Sequence, residues 1–269
     1  LSICIANPRD VISSASAATS SSSLTRSFMT STKLHQSAKA SAPAKWSPTH
    51  LKFKREDKQM AKVLIGCEQS GVVRDAFVRH GHDAWSCDVL AEETPSNRHI
   101  QDDVRNVLAQ EKWDLLIIAH PPCTRLCNSG VRWLHKAPPG KTLKQMWREL
   151  DEGAELFSDM WNADCPRVAV ENPVMHKYAK ERIKNYEPFA QSFQPWQFAQ
   201  SDDAADNVKK RTCLWLRNLP ALVATGKCDG TTARDEIHKA PPGPDRWKFR
   251  SRFFDGVADA MAQQWGEVL

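Results

Sequence analysis

A short apolar run that ends at two prolines constrains the fold of this chain more than any other feature. Residues 113–119 read Trp-Asp-Leu-Leu-Ile-Ile-Ala and lead directly into His120-Pro121-Pro122-Cys123. The run has the length of a buried parallel strand, and the prolines end it because they fix φ and remove two amide donors. This predicts a thiol at the carboxyl end of a central strand, where open α/β sheets bind their ligands. The alternative is an inert cysteine, because free cysteine is among the most buried residue types.

A second short strand ends on an acid and an amide. Residues 167–170 read Arg-Val-Ala-Val and are followed by Glu171-Asn172-Pro173. The carboxyl ends of neighbouring parallel strands meet at one edge of a sheet, so the thiol and this carboxylate are expected to face the same crevice. The alternative is that Glu171 and Asn172 form a turn or cap a helix.

Strand and helix patterns alternate along the chain, which predicts an α/β fold with a mostly parallel sheet flanked by helices. The predicted strands are 62–66, 83–87, 99–100, 113–119, 167–171 and 211–216. The predicted helices are 72–80, 104–110, 142–161, 174–183 and 255–265. All of these elements follow residue 60, so residues 60–269 are predicted to form one domain.

Residues 1–59 differ in composition from the rest of the chain. They hold nine of the 37 Lys and Arg but three of the 32 Asp and Glu, so the remainder has a net charge of −1. Any nucleic-acid site in residues 60–269 therefore has to be a local basic groove. Ser, Ala and Thr dominate residues 13–23, which is typical of a disordered tail or of a mitochondrial or plastid transit peptide. We expect an intracellular protein, cytoplasmic if translation starts at Met60 and organellar if the tail is a transit peptide.

Cysteine and histidine spacing does not favour a metal site. The eight cysteines include no Cys-x-x-Cys pair. Cys123 and Cys127 lie four residues apart near His120 and His135, which is suggestive of zinc, but no second pair has ligand spacing. The sequence also contains no apolar run of about 18 residues or more. We therefore expect no metal, no membrane span and a reducing compartment.

Three segments of the chain resemble motifs of DNA (cytosine-5) methyltransferases. Pro121-Pro122-Cys123 resembles the nucleophile motif of that family, and Glu171-Asn172-Pro173 resembles its Glu-Asn-Val motif with the valine replaced. Residues 63–71, Val-Leu-Ile-Gly-Cys-Glu-Gln-Ser-Gly, are similar to its glycine-containing cofactor loop. The motifs follow the family's order between residues 62 and 211, in a compact form that is most similar to phage-encoded members.

The resemblance implies a Rossmann-like methyltransferase fold and transfer of a methyl group from S-adenosylmethionine to C5 of cytosine in DNA. Cys123 would attack C6 of a cytosine flipped out of the duplex and form a covalent Cys–C6 intermediate. Glu171 would contact N3 and the exocyclic amine of the base. The implied catalytic residues are Cys123, Glu171, Asn172 and Arg211, and we expect the protein to act as a monomer.

The same resemblance implies a cofactor site after the first strands of the sheet. The glycines permit a tight turn, Asp88 matches the acid that binds the ribose hydroxyls, and Asp103 matches the acid that binds the adenine amine, with Asp102 as a close rival. The alternatives are a helix N-cap at Asp103 and surface exposure of Asp88. The implied cofactor-binding residues are Gly66, Cys67, Glu68, Gly71, Asp88, Asp103 and Pro121.

Departures from the family pattern leave other functions open. Lys209 and Cys213 stand where the family has a glutamine and its last arginine, whereas Arg211 matches the middle arginine. The segment between Leu216 and the last helix is too short for the usual target-recognition domain, and the terminal Gly-Asn motif is absent. An exocyclic-amine methyltransferase of the same fold is the second interpretation, although it would carry an aromatic residue at position 123. The third is a homologue that binds DNA or cofactor without turnover.

Overall fold

The computed structural model describes residues 60–243 and 246–269, so the predictions for residues 1–59 lie outside the described part of the chain. Strands in the described residues form one sheet of seven, in the order β3-β2-β1-β4-β5-β7-β6. The strands are β1 (Lys62–Gly66), β2 (Asp83–Asp88), β3 (His99–Gln101), β4 (Leu115–Ile118), β5 (Val168–Asn172), β6 (Gln191–Phe193) and β7 (Thr212–Arg217).

The first five strands are parallel, and β7 alone runs in the opposite direction between β5 and β6. A parallel pair needs a long crossover connection, usually a helix. The chain between β6 and β7 carries a 3₁₀ helix, Pro195–Phe198, and a loop instead, and β7 returns antiparallel beside its neighbours. The predicted α/β class, with a mostly parallel sheet flanked by helices, is confirmed.

Helices cover both faces of the sheet. Alternate residues of β1 face opposite sides, so Val63 and Ile65 pack with α1 and α7 while Leu64 packs with α2 and α3. Each face is thereby buried under its own apolar layer. The α-helices are α1 (Val72–Arg79), α2 (Val104–Gln110), α3 (Leu143–Trp161), α4 (Lys177–Lys180), α5 (Glu236–Lys239), α6 (Arg246–Ser251) and α7 (Asp255–Gly266).

The predicted helix over residues 174–183 was wrong in its extent. The chain leaves β5 through Pro173 in an extended conformation, and Met175 pairs with Cys127 in an isolated β-bridge. His176 then caps α4, its side chain accepting a hydrogen bond from the Ala179 amide at 3.2 Å. The helical spacing of apolar residues that predicted a helix extends over residues 174–183. The β-bridge at Met175 keeps the chain extended before α4, so the helix begins only at Lys177.

The strand order reverses at one position of the sheet, between β1 and β4. The chain moves from β1 to β2 and β3 on one side, and then crosses back to β4 and β5 on the other. Gly66 at the end of β1 pairs with Ile118 at the end of β4, and Ile118 pairs with Val170 of β5. The segments that follow these three residues therefore begin at the same edge. In doubly wound sheets this edge is where ligands bind.

Candidate active site

Cys123 lies in a tight turn just beyond the carboxyl end of β4. The amides of Leu126 and Cys127 both donate to the Cys123 carbonyl oxygen, each at 3.0 Å. Cys123 as a whole residue is half-buried and Cys127 is buried, and burial of the Cys123 thiol raises its pKa. The expectation of a cysteine at the end of a central strand is confirmed.

Glu171 ends β5 beside that turn. Its side chain is 7% exposed, and it pairs with Leu214 of β7 in the sheet register. Burial raises the pKa of its carboxyl group to about 7, although the positive charge of Lys210 acts in the opposite direction. Glu171 therefore changes protonation state near neutral pH, which is the range a general acid or base needs.

Lys210 supplies a cation beside the thiol and the acid. Its ammonium donates a hydrogen bond to the Arg252 carbonyl oxygen at 3.3 Å. Burial lowers the pKa of Lys210, and the negative charges of Glu171 and Cys123 act to raise it. Attraction to Lys210 in turn opposes the rise that burial causes in the pKa of both Glu171 and Cys123. A nucleophile, an acid and a cation are thus brought together at the carboxyl edge of the sheet.

Arg211, the arginine implied by the family resemblance, is exposed and does not line the pocket next to Glu171. Successive side chains of a strand point to opposite faces. Leu214 lies opposite Glu171, and positions 212 and 210 lie two and four residues before it, on the face of Glu171. The sequence interpretation overlooked Lys210 because this register was not known. Lys210 lies an even number of residues before Leu214, the residue that pairs with Glu171, and this spacing is the signal that identifies Lys210.

A narrow pocket lies beside Glu171. Its polar lining comes from Glu171, Lys210 and Thr212, and its apolar lining includes Phe253 and Phe254 from the segment before α7. The cavity has a volume of about 10 Å³, which is about the size that holds one water molecule. The pocket as it stands is therefore too small for a ligand larger than water.

Two polar atoms near this edge lack partners among the described residues. They are Nε2 of His120 and Oδ1 of Asn172. Burial lowers the pKa of His120 well below its usual value, with Lys210 contributing, so the ring is neutral at pH 7. The Asn172 amide donates to the Pro173 carbonyl oxygen at 2.8 Å. Asn172 pairs with Cys213, one position along from Glu171, and so faces the other side of the sheet. Buried polar atoms without partners are uncommon and are often found at binding sites.

The loop after β1 is built around a buried carboxylate. Glu68 is fully buried, and its oxygens accept hydrogen bonds from the amides of Val73 at 2.7 Å and Arg74 at 3.2 Å. It thereby satisfies two amides at the start of α1. Burial raises its pKa to about 7, against the effect of these hydrogen bonds. The side chain of Glu68 is thus committed to shaping the loop.

Left-handed backbone conformations shape the rest of this loop. Cys67 has φ of 54° and Gly71, the N-cap of α1, has φ of 74°. A Cβ atom on Gly66 would lie 2.7 Å from Cγ2 of Val104 and 2.8 Å from Cδ1 of Ile118. Glycine is needed at Gly66 for space and is favoured at Gly71 by conformation.

The three acids expected to bind the cofactor, Asp88, Asp102 and Asp103, differ in how many hydrogen bonds they already accept from the protein. Asp103 is the N-cap of α2 and accepts from the Arg105 amide at 2.9 Å and its guanidinium at 2.6 Å. The hydrogen bond from the Arg105 side chain lowers its pKa, and the capping alternative is confirmed. Asp102 accepts from the Asp103 amide at 2.6 Å and from Asn106 at 2.9 Å.

Asp88, at the end of β2, is half-buried and accepts from the Leu90 amide at 2.9 Å. The alternative that Asp88 lies on the exposed surface is therefore wrong, because the following loop covers it. Burial raises the pKa of its carboxyl group. Among the three acids, Asp88 fits best as an acceptor for hydroxyl groups of a ligand.

Exposed basic residues lie on the two segments that meet at the hydrogen bond from Lys210 to the Arg252 carbonyl oxygen, beside the pocket. We call this set the basic rim, and it consists of Lys209, Arg211, Lys248, Arg250 and Arg252. Arg252 lines the pocket, and the charge of Arg250 acts on Lys210. The ion pairs found within residues 60–243 and 246–269 do not involve this set. It is a local positive surface on a domain whose net charge is close to zero.

Comparisons with known proteins do not identify a relative: no protein-family model matches the chain, and no curated protein is significantly similar to it. In the described part of the chain, no three His, Cys, Asp or Glu side chains are grouped so that they could hold a metal ion. None of the described helices is both long enough and apolar enough to span a membrane.

Proposed function

We propose that residues 60–269 form a DNA methyltransferase that transfers a methyl group from S-adenosylmethionine to C5 of cytosine. The observation that carries this proposal is the grouping of Cys123, Glu171 and Lys210 at one edge of the sheet. Cytosine C5 is a weak nucleophile. Attack of a thiolate at C6 makes C5 electron-rich, and an acid at N3 together with a nearby cation stabilises the charge that develops on the ring.

Each residue of this group has one task in the reaction. The sulfur of Cys123 forms a bond to C6, and protonated Glu171 donates a hydrogen bond to N3. Lys210 stabilises the negative charge, first on the thiolate and then on the ring. After C5 has gained the methyl group, a water molecule takes the C5 proton, the electrons of that bond re-form the C5=C6 double bond, and the Cys123–C6 bond breaks, which releases the thiolate.

The strand order supports a Rossmann-like methyltransferase fold. Strands β3-β2-β1-β4-β5 follow the 3-2-1-4-5 order of doubly wound sheets, whose ligands bind outside the carboxyl ends of the strands where the order reverses. The cofactor contributes a labile methyl group on a sulfonium centre. Gly66, Cys67 and Gly71 would hold it by the backbone of the loop, and Asp88 would accept from its ribose hydroxyls. Asp103 fits less well because Arg105 already occupies its oxygens.

The proposed substrate is a cytosine that has left the duplex. Taking a base out of the stack costs a few kcal/mol. The pocket as it stands is too small for a base, so residues of its lining would have to move when the base enters. Binding of the phosphates on either side of the flipped nucleotide by the basic rim would offset part of this free energy.

Incubation of the full chain with DNA and methyl-labelled S-adenosylmethionine, followed by identification of the labelled nucleoside, tests the proposal. The expected product is 5-methylcytosine, formed by the wild type and by Cys165→Ala but not by Cys123→Ala. Cys165 is the matched control because it is a buried cysteine at the opposite edge of the sheet, with Sγ 3.3 Å from the Trp113 carbonyl oxygen. Label on an exocyclic nitrogen would instead identify an amine methyltransferase, and binding without product would identify a homologue that has lost turnover.

A further inference from the structure

The helix α6 keeps its aromatic side chains at the surface of the protein. Its sequence is Arg-Trp-Lys-Phe-Arg-Ser, and none of its residues is buried. Trp247 is half-buried, and the Lys248 ammonium lies over its ring at 5.7 Å from the ring centre. Phe249 is 41% exposed, and no aromatic ring or cation of the described residues lies over its ring. An aromatic face is therefore left open at this surface.

Both ends of α6 are fixed in the fold, although the helix itself is exposed. At its start, the guanidinium of Arg246 donates a hydrogen bond to the Ala240 carbonyl oxygen at 2.7 Å. Just after its end, the Arg252 carbonyl oxygen accepts a hydrogen bond from the Lys210 ammonium at 3.3 Å. The surface of α6 is thus held at a defined place beside the pocket, which Lys210 and Arg252 both line.

Phe249 is placed next to a residue of the pocket lining. The last helical turn extends to Arg252, whose amide donates to the Lys248 carbonyl oxygen at 3.2 Å. Residues three apart on a helical turn are neighbours on its surface. The open ring of Phe249 therefore lies beside Arg252, at the side of the pocket where the basic rim is found.

Charge decides which kind of partner fits this surface. Residues 246–252 contain four basic and no acidic residues, and no ion pair in the described part of the chain involves them. Residues 1–59, with nine basic and three acidic residues, and a second copy of α6 carry charge of the same sign and are repelled. Two rings are a small apolar face for insertion into a lipid surface. Aromatic rings that alternate with cations instead match the bases and phosphates of a nucleic-acid strand.

We propose that α6 binds an unpaired DNA strand, with the ring of Phe249 stacked on a base and the cations of the basic rim on the phosphates. Bases within a duplex are stacked on their neighbours, whereas a single strand leaves base faces open to an aromatic side chain. An unpaired strand also avoids the free energy of taking the cytosine out of the stack. Single-stranded DNA is then the preferred substrate of methyl transfer. That part rests on the proposed function, whereas binding by α6 does not.

Titration of the full chain into a labelled DNA strand, either alone or annealed to its complement, tests the proposal by fluorescence anisotropy. The single strand is expected to bind more tightly than the duplex at the same salt concentration. Phe249→Ala is expected to weaken binding of the single strand about tenfold. Its salt dependence should not change, because stacking releases no counterions. Phe249→Trp keeps an aromatic ring and is expected to retain the affinity.

Two further variants separate stacking from charge and from exposed apolar surface in general. Leu143→Ala is the matched control, because Leu143 is an apolar residue of α3 that is 45% exposed, and binding should be unchanged. Arg250→Ala should weaken binding and reduce the slope of log affinity against log salt concentration by about one unit. A single strand that binds no more tightly than the duplex, or an unchanged affinity in Phe249→Ala, would overturn the proposal. Binding to anionic phospholipid vesicles that requires Phe249, without binding to the single strand, would also overturn it.

The binding titration needs no cofactor, so its result is independent of methyl transfer. Binding as expected, without labelled product from single-stranded or duplex DNA, would contradict the proposed function alone. Formation of 5-methylcytosine with no effect of Phe249→Ala on binding would contradict the role of α6 alone.

Discussion

Lys210 and Arg211 are adjacent cations, and they differ in whether they interact with the candidate site. The charges of Glu171 and Cys123 act on Lys210, whereas Arg211 is exposed in the basic rim. We expect Lys210→Met to slow single-turnover methyl transfer by about 10²- to 10³-fold, the usual effect of removing one group that stabilises developing charge. Arg211→Met is expected to weaken DNA binding instead. If Arg211→Met instead slowed methyl transfer and Lys210→Met did not, the result would support the catalytic arginine implied by the family resemblance.

The protonation state of Glu171 predicts the pH dependence of the same reaction. Burial raises its pKa from 4.5 to about 7, so the carboxyl group is largely protonated below pH 7 and ionised above it. Donation to N3 requires the protonated form. The single-turnover rate is therefore expected to fall as pH rises, with a midpoint near 7. Glu171→Gln keeps a neutral donor, so it should react slowly but without this alkaline decrease. A decrease that persists in Glu171→Gln would assign the titration to another group.

Which residues of the candidate site the sequence could identify depends on how local their signal is. Cys123 and Glu171 each end an apolar strand, so their place at the carboxyl edge follows from a short segment. Lys210 was overlooked because its direction depends on which residue of β7 pairs with Glu171, which is a long-range property. For Asp103, the sequence contained a local signal against cofactor binding. Arg105 lies two residues further along the chain and forms an ion pair with Asp103.

At the scale of elements, periodicity and capping residues predicted most of the core strands and helices. β1 and α2 have the predicted bounds, and the predicted start of α1 is also observed. The antiparallel direction of β7 and the three-residue β6 were not predicted, because pairing between distant segments creates them. Single-sequence patterns report local preference, and tertiary pairing overrides it in short elements.

Gly66 joins β1 to the loop that follows it, and its close packing predicts an effect on stability. A Cβ atom there would press on the side chains of Val104 and Ile118, both in the core. We expect Gly66→Ala to lower the free energy of unfolding by about 1–3 kcal/mol, as overpacked cores do. Urea unfolding measures the change. Gly153→Ala is the matched control, since Gly153 lies in α3 and its Cβ would be 3.5 Å from Cδ2 of Leu126, an ordinary van der Waals contact. It should stabilise by about 0.5–1 kcal/mol, and equal destabilisation of both variants would argue against crowding at Gly66.

At the scale of the whole molecule, charge is unevenly distributed. Residues 60–269 have a net charge near zero, so long-range attraction cannot bring this domain to a polyanion. The basic rim concentrates positive charge next to the pocket, where phosphates would flank a flipped base. Composition alone could not reveal this, because the five residues come from the segment before β7 and from the segment at α6. Folding joins the two segments at the hydrogen bond from Lys210 to the Arg252 carbonyl oxygen.

Lys209 and Lys248 are rim lysines from these two segments, and their removal tests whether the rim binds DNA. Each phosphate contact contributes about one unit to the slope of log affinity against log salt concentration. The double variant Lys209→Ala/Lys248→Ala is therefore expected to bind DNA more weakly at low salt and to reduce this slope by about one to two units. Titration of labelled duplex DNA at several salt concentrations measures both quantities. Lys112→Ala, which removes one exposed lysine that is ion-paired with Asp164, is the charge-matched control for each of the single variants Lys209→Ala and Lys248→Ala. An equal loss of slope in Lys112→Ala would mean that DNA responds to net charge, and the rim would then have no specific part in binding.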